Sequence, residues 1–133
     1  MADAGYSGKP VRAKLGLKPG MRVLLVGAPA GFAIASNELS VLTRAVGQPF
    51  DLVLAFCPDA AAVRKRFAAL TDKITSAGAL WIAWPKKTGP LAGDVGETEV
   101  REIGLAAGLV DVKVIAIDEA WSGLKFVRRL ADR

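Results

Sequence analysis

Three stretches of this sequence carry side chains able to do chemistry. "FCPD" (56–59) sets the thiol of Cys57 two residues before Asp59, "WPKK" (84–87) follows Trp84 with Lys86 and Lys87, and "DEAWSGLKFVRR" (118–129) mixes Trp121, Lys125 and Phe126 with Arg128 and Arg129. A thiolate at Cys57 would be a nucleophile, with Asp59 the nearest candidate base. An aspartate raises a neighbouring thiol's pKa, however, and activation calls for a cation or a helix N-terminus. A helix opening at 59 supplies the latter. The opposing reading makes Cys57 a small buried apolar residue, the commoner role of a free cysteine. Lys86 and Lys87 can meet a small anionic ligand while Trp84 supplies a flat wall; otherwise they are solvated lysines beside a packed tryptophan. In the third stretch, aromatics and bases together can stack nucleobases and hold phosphates. Alternation along a strand divides them, sending Leu124, Phe126 and Arg128 to one face and Lys125, Val127 and Arg129 to the other. That split argues against nucleic acid as a partner, and surface pairing of the arginines with Asp118 and Glu119 is the plainer expectation.

Composition removes other chemistries. The 133 residues include no histidine and one cysteine. Ser-His and Cys-His pairs, histidine metal sites and histidine general bases are therefore excluded. A single cysteine cannot build a thiolate zinc site within one chain, so no metal is expected. The formal charge of +5 suits anionic ligands but is also an ordinary solubility device. No apolar run approaches the length of a membrane span, and the start, "MADAGYSGKP", has no signal-peptide core; a cytoplasmic location is the expectation.

Positioning these residues falls to alternating strands and helices. "MRVLLVG" (21–27), "FDLVLAF" (50–56) and "ALWIAW" (79–84) read as strands buried on both faces. "DVKVIAID" (111–118) and "LKFVRRL" (124–130) read as a hairpin around Trp121-Ser122-Gly123. Helical spacing is present in 34–46 (Leu39, Leu42, Val46), in 59–70 (Asp59 as cap; Val63, Phe67, Leu70 inward) and in 97–107 (Val100, Ile103, Ala107 inward, Gly108 closing). A short helix near 9–15 precedes "GLKPG", within a lead-in over 1–20. "KKTGPLAGDVG" (86–96) is a long loop, a lid with Gly89, Gly93 and Gly96 as hinges or a mere connection. The expectation is one α/β domain over 1–133, about five strands, mostly parallel, ordered 1-2-3-5-4 with the fifth inserted antiparallel.

Taken together, "LGLKPGMRVLLVGAPAGF", "PFDLVLAF", "AGALWIAWPKK" and the final hairpin resemble, in order, the class I S-adenosylmethionine-dependent methyltransferases. "GYSGKP", "WPKK" and "WSGLKFVRR" further resemble a group of small bacterial proteins built as shortened relatives of that family. The resemblance implies a three-layer, Rossmann-like domain that binds S-adenosylmethionine at the loop Gly27-Ala28-Pro29-Ala30-Gly31. It also implies that Tyr6 and Ser7 cover the ligand crevice. Two departures bear on this. Leu25 occupies the position of the family's acid, and Pro29 that of its middle glycine, bringing a ring and no N–H where backbone must approach a ligand. Only 19 residues separate Gly31 from Asp51, room for one helix and a return, so the strands that carry the ribose-binding acid are expected to be missing. Gly27 and Gly31 then read as turn glycines where a strand passes into a helix. The first strand becomes an exposed edge, to be covered by the N-terminal segment or a second copy in a homodimer. These departures favour a non-catalytic ligand-binding or regulatory module on a methyltransferase-like scaffold, using a crevice lined by Gly27–Gly31, Cys57 and Trp84–Lys87. The alternatives are an active methyltransferase with an atypical cofactor site, and an interaction module using the basic hairpin.

Overall fold

A computed structural model describes residues 10–35 and 37–133. Tyr6 and Ser7 lie outside the described residues. In chain order the elements are α1 (Val11–Leu15), β1 (Arg22–Val26), β2 (Ser40–Leu42), β3 (Phe50–Phe56), α2 (Ala60–Leu70), β4 (Ile74–Pro85), α3 (Glu97–Ala106), β5 (Leu109–Ala116) and β6 (Trp121–Arg128). They build a six-stranded sheet in the order β2-β1-β3-β4-β6-β5. From β2 to β4 all neighbours are parallel, and β6 runs antiparallel between β4 and β5. Five strands take the order expected from the sequence; β2 is a sixth, not anticipated.

The period-2 alternation of the strands divides their apolar side chains between two cores. Val53, Ala55, Leu80, Ile82 and Phe126 face α2 and α3, where they meet Val63, Phe67 and Val100. Leu52, Leu54, Phe56, Trp81 and Ala83 face the opposite side, covered by Leu15, Leu17 and Ile34. Each such large side chain contributes about 1.5–3 kcal/mol on leaving water, which explains why central strands with no polar alternation are stable only here. Trp81 is fully buried and its indole Nε1 donates to Leu15 O at 3.2 Å, fastening α1 to the sheet. The helix over 60–70 begins as expected, with Asp59 Oδ1 accepting from Ala62 N at 2.8 Å. In α3, Glu99 Oε1 accepts from Gly96 N at 2.8 Å.

Among its described residues, 34–35 and 37–46, the segment 34–46 forms no helix. Glu38 adopts a left-handed turn (φ 63°), and β2 follows. Leu39 and Val41 turn to the α1 side and Leu42 to the α2 side, which is strand alternation, while Val46 is left exposed. The physical reason is the open side of β1. Its peptide groups need partners, and three residues of β2 supply them through Arg22↔Ser40, Val23↔Val41 and Leu24↔Leu42. The return to β3 is held by Arg22, which donates to Gln48 O and Val46 O and lies over the Phe50 ring. β1 is therefore not an edge, and the argument for a covering second copy does not apply to it. Among the described residues no helix is long and apolar enough to cross a membrane.

Candidate functional site

β1 ends in a tight corner. Gly27 has φ 67°, and a Cβ there would stand 3.1 Å from Phe56 O, so only glycine lets the chain leave β1 beside the end of β3. Gly31 (φ 86°) has open space around it and is needed for its conformation alone. Both are turn glycines, as the sequence suggests. Among the described residues no helix follows them, which corrects the expected strand-to-helix corner and removes the row of amides a helix start would present.

On the α1 side of the sheet this corner faces the turn between β5 and β6. A hollow of about 380 Å³, on the scale of a small-molecule site, lies between Pro29–Ala33 and Ile117–Asp118. A second, of 480 Å³, shares Pro29, Ala30 and Asp118 and extends to Trp121. Asp118 Oδ1 accepts from Ala120 N (2.8 Å) and Trp121 N (2.9 Å), which fixes the carboxylate at the rim. Phe32, Phe56 and Trp121 line up edge-to-face, with centroids 4.9 and 5.1 Å apart. The result is an acid opposite a backbone corner, with aromatic rings beside it.

The residues of "WPKK" stand at the same edge but on the other face. In register, Trp84 pairs with Ser122 and Pro85 with Trp121, so Trp84 and Trp121 point to opposite sides of the sheet. A hollow of 400 Å³ on the α3 side is lined by Trp84, Lys86, Lys87, Thr88, Glu97, Thr98 and Ser122. The single crevice expected from Gly27–Gly31, Cys57 and Trp84–Lys87 is thus two hollows with β4 and β6 between them.

Cys57 lines neither. It is fully buried, its N–H donates to Ala83 O at 2.8 Å, and burial pushes the thiol up to about 12 against the opposing influence of Arg66, with Asp59 adding to the rise. Such a thiol is neutral at physiological pH, whereas a nucleophile needs the thiolate. Asp59 is exposed and serves as the α2 cap. Lys125 sits opposite Trp81, deeper along β6 and away from both Lys86 and Lys87; burial, then Lys113 and Lys18, hold its ammonium below the usual lysine range. Among the described residues Asp118 and Glu119 form no ion pair, contrary to expectation, because Arg128 donates to Thr71 O and Ile74 O and Arg129 to Leu105 O. No group of three or more potential metal ligands occurs among the described residues. The 86–96 loop is anchored, with Val95 buried and Asp94 accepting from Ala60 N. Sequence reasoning missed the placement of Asp118; its signal was an aspartate two and three residues before the amides it caps.

No family model and no curated protein matches the sequence. Solved structures do. A S-adenosylmethionine-dependent methyltransferase from Aquifex aeolicus superposes with TM-score 0.65 at 19% identity, covering 87% of this chain and 86% of that one. The fold is that of a class I methyltransferase. Magnesium protoporphyrin IX methyltransferase from Synechocystis, with bound S-adenosylmethionine, gives 0.60 at 16% identity over 90% and 74% of the two chains. The fibrillarin pre-rRNA processing protein of Methanococcus jannaschii gives 0.58 at 14%, over 89% and 73%. Within this methyltransferase-like fold, β2 ends at Leu42 and is followed by Thr43 and Arg44 rather than an acid. Glu38, the carboxylate between Gly31 and Asp51, lies at the opposite end of β2, where its carbonyl accepts from Gly20 N.

Proposed function

We propose that the chain binds an S-adenosyl ligand in the paired hollows between the β1 corner and the β5–β6 turn, and acts as a small methyltransferase. One observation carries this reading: a fixed carboxylate, Asp118, stands across from Pro29 and Ala30 at the carboxyl edge of the sheet, the edge where ligands bind in open α/β folds. The residues present fit such a group. Asp118 offers an acceptor to hydroxyls in place of the acid absent after β2, Phe32 and Trp121 offer apolar walls to a base, and the open 29–33 backbone approaches from the other side. S-adenosylmethionine, when bound, supplies an electrophilic methyl group. The chain's own part is to bind and orient, since it holds no histidine and its thiol is sequestered; proximity is then the main source of acceleration.

A second reading, a ligand-binding or regulatory module without transfer, is favoured by Pro29 at the middle of the corner and Arg44 beyond β2. Calorimetric titration with S-adenosylmethionine and S-adenosylhomocysteine distinguishes the two. The methyltransferase reading expects micromolar binding that weakens about tenfold or more in Asp118→Asn, which keeps an acceptor for the two amides and removes the charge. Absence of heat and of thermal shift at millimolar ligand retires S-adenosyl chemistry and leaves the binding module.

A further inference from the structure

The hollow on the α3 side of the sheet has its own chemistry, distinct from the S-adenosyl reading. Lys86 and Lys87 both line it, and among the described residues neither has a carboxylate within ion-pair distance. The acid that lines it among the described residues, Glu97, is engaged by Arg101 at 2.6 Å, and the same guanidinium holds Asp111 at 2.9 Å. The lysines are also held in place. Lys86 N donates to Ala120 O at 2.8 Å and Gly89 N to Lys86 O at 3.0 Å, which sets the turn that presents both side chains. Lys87 does not simply extend into water. Its Cε and Nζ lie 2.6 and 3.1 Å from the point where a Cβ on Gly96 would stand, so the ammonium is folded over the first turn of α3. A cation at a helix N-terminus meets a dipole that is also positive, and Glu99, whose Oε1 lies 3.1 Å from the same point, caps Gly96 N rather than pairing with the ammonium. An anion between the ammonium and the helix start would reconcile the two.

We infer that this hollow binds a small phosphate monoester. Two unpaired ammonium groups match a dianion, and the hydroxyls of Thr88, Thr98 and Ser122 can donate to its remaining oxygens. Trp84, buried except at the rim, gives the organic part an apolar wall. The volume of 400 Å³ falls within the range of small-molecule sites.

Isothermal titration of the full chain with phenyl phosphate, with benzoate as the singly charged control, tests the assignment. Saturable binding is expected, at least about tenfold tighter than benzoate, and weaker by about tenfold or more in Lys86→Gln/Lys87→Gln. Gly96→Ala is the sharper variant. Gly96 has an ordinary φ of −138°, so alanine suits the backbone; its Cβ displaces the mobile end of Lys87 and presses, at 3.1 Å, on Glu99 Oε1, which can give by a few tenths of an ångström. It is expected to keep its melting temperature and lose affinity. Lys65→Gln, exposed on α2, should bind as the parent does, and the titration uses no S-adenosyl ligand, so that failure of the S-adenosyl reading leaves this result intact. No saturation at millimolar phenyl phosphate overturns the proposal. Equal affinity for benzoate, or unchanged affinity in the double lysine variant, does the same.

Discussion

The thiol of Cys57 sits among Val53, Ala55, Val63 and Ile82, and its proton is held by exclusion of water from that cluster. With a pKa pushed to about 12, the thiolate fraction at pH 8 is on the order of one in ten thousand. Ellman's reagent should therefore leave the native protein unmodified at pH 8 and label it fully in urea; fast native labelling would show the site to be open. The sign of the pH dependence follows. The unfolded thiol ionises near 9.0 and the folded one near 12, so this group's contribution to stability is intact below 9.0 and declines as pH rises between them. The alkaline loss should be smaller in Cys57→Ala, as read by urea melts. The two corner glycines make a second contrast. Gly31→Ala meets only the left-handed backbone, about 1–2 kcal/mol, whereas Gly27→Ala adds a collision with Phe56 O and should lower the melting temperature further. Their turn role was legible because two glycines after an apolar run have few other uses. Asp118 was not, since its value lies in which amides the turn brings to it, and charge alone suggested surface pairing.

At the scale of elements, α3 lies so close to β6 that Gly104 touches Phe126. A Cβ on Gly104 would stand 2.1 Å from the Phe126 ring, which is itself edge-on to Phe67 at 4.9 Å. Gly104→Ala gains about 1 kcal/mol of helix propensity but forces the ring off its packing, typically about 1–3 kcal/mol and more where nothing can yield. The variant should melt at a lower temperature than the parent, and an equal or higher value would mean the helix shifts freely. Helices α2 and α3 were readable because an apolar stripe coincides with Asp59 as a cap in the first and with Gly108 as a close in the second, although Ala107, expected inward, is exposed past the end of α3. In 34–46 the same kinds of signal were present, with Asn37 able to cap, Leu39, Leu42 and Val46 at helical spacing and Gly47 able to close, yet Leu39, Val41 and Leu42 equally satisfy a strand. What chose between them was the unpaired side of β1, a demand made by another part of the chain and absent from local periodicity.

Over the whole molecule, the sheet's outer strands are the three-residue β2 and the eight-residue β5. β5 exposes Val112 and Val114 at 53% and 48%, with Lys113 between them beside a register shift. A charged residue and an irregular ladder are ordinary guards against edge-to-edge pairing. Lys113→Val should therefore raise self-association, measurable by sedimentation velocity; an unchanged profile would assign the protection to the register shift. The parallel core and the inserted last strand were legible from order and apolarity. That neighbours at the edge of β4 and β6 serve different hollows was not, because sequence proximity hides which face each side chain takes. The place of β6 also has a consequence in time. Trp121–Arg128 comes last in sequence among the six strands of the sheet, yet it lies between two earlier ones. When synthesis has reached Ala120, β4 still shows a bare flank and β5 has no neighbour at all. Assembly of β5 onto the sheet must wait for Trp121–Arg128, and a chain stopped short of them holds five strands that cannot make one sheet.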